Sequence, residues 1–264
     1  MKSKKCLNCE NIITDKYCSS CGQKTDIHRI TFKNFIFHDV LHGTFHIEKG
    51  MLFTAKEALT RPGKAALDYI SGKRKRYYNV FYLILITIAL MIFARHFGDF
   101  FANNNRVGEV VEAKQYINEA SKKIDELFAQ KSKIIIFLFV PFAALNSFIL
   151  FRRKKLNLSE HSIIAGMILL GVLLISTVSH ILFWFKFLHQ IGLVISVLTT
   201  AMIILHIGYG YFNAFNNDYS KFGFTYRIVL FFVLICLEIL ILISILVGFV
   251  TNWEFGEIQI TPFS

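Results

Sequence analysis

At 264 residues, with 54% hydrophobic content, 28 Phe and only 3 Pro, the chain is too apolar for an ordinary soluble domain and matches a bilayer better. Its net charge of +11 would ordinarily raise the question of nucleic acid. The basic residues gather beside hydrophobic runs rather than on one soluble face, which argues against nucleic acid and for lipid head groups. Four of the five cysteines fall within the first 21 residues and the fifth, Cys236, lies in an apolar run. A disulfide framework therefore fits poorly and a reducing compartment fits well.

The first element, residues 1–25, is built on two knuckles, Cys6-Leu7-Asn8-Cys9 and Cys18-Ser19-Ser20-Cys21-Gly22. A gap of two residues lets both thiolates of a knuckle reach one ion about 2.3 Å away, and two knuckles close a tetrahedral site. Gly22 suits the positive φ such turns often take, whereas Glu10 stands at the equivalent place after the first knuckle. The segment is too small to own a hydrophobic core, so one structural Zn(2+) held by Cys6, Cys9, Cys18 and Cys21 is expected to fold it. A rubredoxin-like iron centre or a thiol redox pair is the alternative. A closed site of four thiolates leaves no open coordination position, which favours scaffolding or partner binding over catalysis.

Residues 26–77 are expected to be cytosolic or interfacial amphipathic helices. His38, His42 and His46 stand at i, i+4 and i+8, a spacing that places the imidazoles on one helical face and makes them a candidate second metal site. The competing interpretation is an interfacial helix with Phe32, Phe35, Ile36, Val40 and Phe45 in the head-group layer; Gly43 in mid-segment weakens a rigid site. Next, Arg61-Pro62-Gly63 starts a short helix and Gly72 ends it. Lys73, Arg74, Lys75 and Arg76 then meet Tyr77 and Tyr78 at the membrane surface. Beside anionic lipid each such cation contributes about 1 kcal/mol, so these four are expected either to set topology or to bind an acidic head group.

Several of these elements together resemble a known family: the two Cys-x-x-Cys pairs, Tyr17 before the second with Gly22-Gln23-Lys24 after it, and His42-Gly43-x-Phe45-His46-x-Glu48-Lys49-Gly50. Thr54 with Arg61-Pro62-Gly63 and Tyr69-Ile70-x-Gly72-Lys73-Arg74 complete the set. The chain is similar over its first 80 or so residues to an uncharacterised bacterial membrane family, the domain of unknown function numbered three thousand six hundred and sixty-seven. Members often carry Pro where Val80 stands. The resemblance implies a bacterial inner membrane and a zinc ribbon, and supplies no activity.

The membrane domain is expected over 78–251. Five apolar runs, about 80–97, 134–151, 163–185, 188–212 and 228–250, approach the roughly 17 to 25 residues needed to cross hydrocarbon. The second is the shortest and contains Pro141 and Asn146, with a kink expected at the proline. The loop 98–133 is expected to be external and to hold one amphipathic helix, because Val110, Ile117, Ile124 and Leu127 recur near heptad spacing. Basic residues precede the first span, fill the 152–155 loop and recur at Lys221 and Arg227; the tail 252–264 has none. Five spans then put the N-terminus in the cytosol and the C-terminus outside, with Trp184 and Trp253 at the outer interface. No early apolar core of a secretory signal precedes the first run.

Glu238 falls near the middle of the last span, where an unpaired carboxylate is expensive and is a functional hypothesis by default. Thr199, Thr200 and Asn146 reach a similar depth and His180 lies somewhat outward, so these groups either form a polar track or glue helices together. The expected fold is an all-α membrane bundle of about five spans with a small N-terminal zinc ribbon. The leading expectation for function is a non-enzymatic scaffold or sensor in a bacterial inner membrane, binding a cytosolic protein and anionic lipid and no nucleic acid, with a homo-oligomer allowed. The alternatives are a small ion-coupled transporter through Glu238 and a metal-dependent lipid-active enzyme using His38, His42 and His46.

Overall fold

A computed structural model describes residues 4–25, 50–104, 138–185, 188 and 191–250. The His38, His42 and His46 segment, the expected external helix and the tail after residue 250 lie outside the described residues. The chain begins with two short strands, β1 (Lys4–Lys5) and β2 (Ile12–Ile13), paired antiparallel with Lys4 opposite Ile13 and Lys5 opposite Ile12. Two pairs of residues cannot stabilise a hairpin alone. They bracket the first cysteine knuckle.

A broken helical hairpin follows, α1 (Gly50–Thr60) and α2 (Pro62–Ile70). The break has a local cause: Pro62 lacks an N–H and forces Arg61 out of helical geometry, to φ −153° and ψ 57°. Ser71 ends α2, its N–H bonded back to Leu67 O, and Gly72 turns the chain away at φ 105°. The buried side of α2 is Pro62, Gly63, Ala65 and Ala66, small residues that allow close approach. A Cβ on Gly63 would fall 2.2 Å from Gly210 O and 2.5 Å from Ala214 N. The hairpin is therefore wedged backbone to backbone against the bundle rather than laid on its surface.

The long helices are α3 (Val80–Asn104), α4 (Leu138–Leu150), α5 (Leu158–Leu182), α6 (Gly192–Phe215) and α7 (Lys221–Val250). Four of them hold apolar stretches of 19 to 29 residues, about 28 to 44 Å of helix and enough to cross a bilayer. The expected second span is described only in part: α4 covers about 20 Å of helix, and residues 134–137 lie outside the described residues. Pro141 lies within the described part of α4, and the residue four positions before it, whose carbonyl it would leave without a donor, lies outside the described residues, as does the place where the expected kink would show.

Helix α5 is the hub. Its start is a capping box, with Glu160 N bonded to Asn157 Oδ1 at 2.9 Å and Asn157 N to Glu160 Oε2 at 2.7 Å. Helix α3 runs parallel to it, Val80 and Phe81 lying at Gly166 and Trp184 Nε1 donating to Ala94 O at 2.7 Å. Helix α6 runs antiparallel, with Ile168 against Gly210 and Thr199 donating to Ser179 Oγ at 3.0 Å. The core beside it is aromatic: the buried Phe151 ring stacks on Phe215 at 4.7 Å and on Tyr211 at 5.9 Å, and Tyr211 meets Phe231 at 4.6 Å. The outer faces of α6 and α7 are apolar and open, Leu193, Leu205, Phe222 and Phe249 among them. Such continuous apolar surface belongs to a membrane protein.

Candidate metal centre and the surface it rests on

The two knuckles fold alike. In the first, Cys6 N donates to Asn11 O at 2.8 Å and Glu10 N to Cys6 O at 2.9 Å; in the second, Cys18 N donates to Gln23 O and Gly22 N to Cys18 O, both at 2.8 Å. Each turn closes on a residue of positive φ, 64° at Glu10 and 69° at Gly22. Glycine adopts that geometry without strain, whereas Glu10 is held there by the knuckle's own hydrogen bonds. The result brings the four sulfurs within 4.8 Å of one another, Cys6 to Cys21 at 3.6 Å and Cys9 to Cys18 at 3.5 Å.

A tetrahedral zinc with Zn–S of about 2.3 Å has S···S edges of about 3.8 Å, so the donor set and its spacing fit such an ion. The electrostatics agree. Backbone N–H groups of Cys21 and Ser20 lower the Cys18 thiol. Burial would raise Cys21, but the Gln23 N–H, the Asn8 side chain and Cys9 outweigh it and bring the thiol to about 6. At Cys9 the Asn11 N–H pulls the other way from burial and the neighbouring thiols, which win and push it up to about 11. Four thiolates this close do not all ionise without a cation between them.

The ribbon does not hang free. Gln23, only 4% exposed, donates through Nε2 to Gly72 O at 2.7 Å and accepts at Oε1 from Lys75 N at 3.2 Å. Asn8, inside the first knuckle, accepts from Arg76 at both Oδ1 (3.2 Å) and its carbonyl (3.0 Å). The basic run expected to set topology or to bind an acidic head group also makes contacts within the protein through three of its four side chains. Lys73 Nζ bonds Asp68 Oδ1 at 2.8 Å, Arg74 lies over the Tyr69 ring at 5.6 Å, and Arg76 holds Asn8.

Behind this loop lies a polar cluster inside the hairpin. Glu57, buried on α1, pairs with Arg61 at the break, an ion pair that raises the arginine. Tyr77 OH approaches Asp68 Oδ2 at 3.4 Å; burial first, then the carboxylates of Asp68 and Glu57, raise its phenol. Tyr78 N donates to Thr54 Oγ1 at 2.8 Å and ties the loop back to α1. Residues 48–92 match the family described as Protein of unknown function (DUF3667). The described part of the matched stretch is the hairpin, its loop and the first half of α3, so the cysteine ribbon precedes it and clasps it. No curated protein and no solved structure matches this chain.

The intramembrane polar residues are only partly brought together. Asn146, buried on α4, donates through Nδ2 to Glu238 Oε2 at 2.9 Å. Thr199 instead bonds Ser179, Thr200 bonds Ser196 O on its own helix at 2.9 Å, and His180 stands half-buried on α5. Sequence reasoning missed a pair near the 152–155 end of the bundle: Ser147 Oγ and His161 Nδ1 are 2.8 Å apart, both fully buried within the protein. Only the three-dimensional meeting of α4 and α5 reveals it; neither residue carries a motif.

Proposed function

We propose that this chain is a non-enzymatic scaffold or sensor of a bacterial cytoplasmic membrane, whose ribbon holds one structural Zn(2+) and presents a platform to a cytosolic protein. The observation that carries this reading is the closed set of four sulfurs resting on the DUF3667 segment. Such a site offers no open position for a substrate. Leu7, Ile12 and Tyr17 remain 52%, 61% and 60% exposed on the ribbon, apolar surface unused by the clasp and available to a partner.

Orientation rests on charge. The helix directions bring the 73–76 run, the 152–155 run and Arg227 to one end of the bundle. There Arg153 and Arg227 both lie over the Tyr219 ring, 4.7 and 4.4 Å from its centroid, and Arg227 Nε donates to Leu150 O at 3.1 Å. Basic residues collected at one end support a cytosolic ribbon and an external C-terminus. Metal analysis of the purified protein in detergent tests the reading: one zinc per chain, unchanged when His38, His42 and His46 are replaced, is expected. A zinc-free protein, or an excess that vanishes with the histidines, would overturn it. The Asn146 contact is what Glu238 would make as interhelical glue; ion-coupled transport through Glu238 would instead require a flux in liposomes that Glu238→Gln abolishes.

A further inference from the structure

We infer that the ribbon is a metal-dependent latch over the 72–76 loop, an inference that rests on the ribbon holding zinc. Each knuckle contributes one clasp. Gln23 follows Cys21 by two residues and its carbonyl is bonded by Cys18 N, so its position is fixed by the second knuckle. Asn8 lies between Cys6 and Cys9, with its side chain also at the Cys21 sulfur, so its position is fixed by the first. The Gln23 amide spans the loop as a strand would, taking one carbonyl and one N–H from backbone groups three residues apart.

Among the described residues the ribbon has no apolar core of its own to hold this shape. Its larger apolar side chains point outward, its strands are two residues long, and without an ion its thiols lose the knot that orders both turns. The loop is equally dependent on its neighbours. It leaves α2 through Gly72 in left-handed geometry and reaches α3 through Tyr77, which packs on Phe53 at 5.3 Å. The loop is the joint between hairpin and first span, and the latch closes over that joint. Loss of metal dissolves both clasps together and releases Lys75 and Arg76 toward an anionic membrane surface.

Hydrogen exchange on the full-length protein in detergent, with zinc content measured in parallel, tests the latch. In zinc-loaded wild type the Lys75 amide is protected by Gln23 Oε1. Removing zinc with a chelator, or Gln23→Ala in protein that still carries one zinc, is expected to speed exchange at 72–76 about tenfold, the effect of losing roughly one hydrogen bond. Exchange in the middle of α5 should stay unchanged in both, reporting an intact bundle. Zinc-loaded protein whose 72–76 exchange moves in neither case overturns the latch while leaving the metal ribbon standing. Wild type that binds no zinc overturns the metal reading itself.

Discussion

The contact between hairpin and bundle is the sharpest point in the fold to perturb, because it is made by backbone. An alanine at Gly63 would place Cβ 2.2 Å from Gly210 O, 2.5 Å from Ala214 N and 2.9 Å from Ala214 Cβ. None of these atoms belongs to a side chain that can swing aside, so α2 and α6 must separate. Overpacking costs about 1–3 kcal/mol, and a backbone clash lies at the upper end of that range. Gly208 on α6, the helix that receives Gly63, is the control, since a Cβ there meets nothing within 4 Å. Replacing that glycine by alanine should stabilise by about 0.5–1 kcal/mol through reduced chain entropy. The two variants should therefore differ by about 3–4 kcal/mol, a melting difference on the order of 10 °C in detergent. Gly63→Ala melting together with Gly208→Ala would mean that the hairpin does not occupy this groove.

Three further outcomes follow from the site and the bundle. Cys18→Ser leaves three thiolates, so zinc affinity should fall and the segment before about Lys24 should become protease-sensitive while the spans still insert; unchanged metal content would sink the four-cysteine assignment. Glu238→Gln preserves a hydrogen-bonding partner for Asn146 and should keep stability, whereas Glu238→Leu should lose about 1–2 kcal/mol of helix association, read by thermal denaturation in detergent. Reporter fusions at Gly108 and Ser264 should report outside and one at Asn157 inside. A cytosolic Ser264 would contradict an odd number of crossings.

The cysteine knuckles and the long apolar helices were legible because their signals are local: a fixed spacing of ligands and a run of residues long enough for hydrocarbon. The hairpin was legible only as a helix start at Arg61-Pro62 and a stop at Gly72. Its wedging depends on Gly63 meeting Gly210, a contact between residues far apart in the chain that no periodicity encodes. The contacts of the basic run 73–76 were beyond it too. A string of cations beside an apolar span points to topology or lipid, but not to Asp68, Tyr69 and Asn8 lying close enough to touch three of the four. Glu10 is a smaller instance: its side chain argues against left-handed geometry, and the hydrogen bonds of the turn impose it. The Asn146 and Glu238 contact lay within reach of a depth count along two helices. The failure of Thr199 and Thr200 to join it did not, because rotation about a helix axis is set by packing.

The wedged hairpin also dictates an order of events during synthesis. Lys64 N is capped by Asn213 Oδ1 at 2.9 Å across 149 residues of sequence, and Tyr209 OH donates to Thr60 O at 3.1 Å across the same interval. At ribosomal rates of about 5–20 residues per second, the hairpin emerges roughly 8–30 s before the helix that receives it. During that interval Gly63, Ala65 and Ala66 have no groove to enter, and the buried Glu57 has only Arg61 for company. The nascent chain must park these residues at the bilayer surface or under a chaperone. An element that leaves the ribosome early is therefore among the last to reach its place.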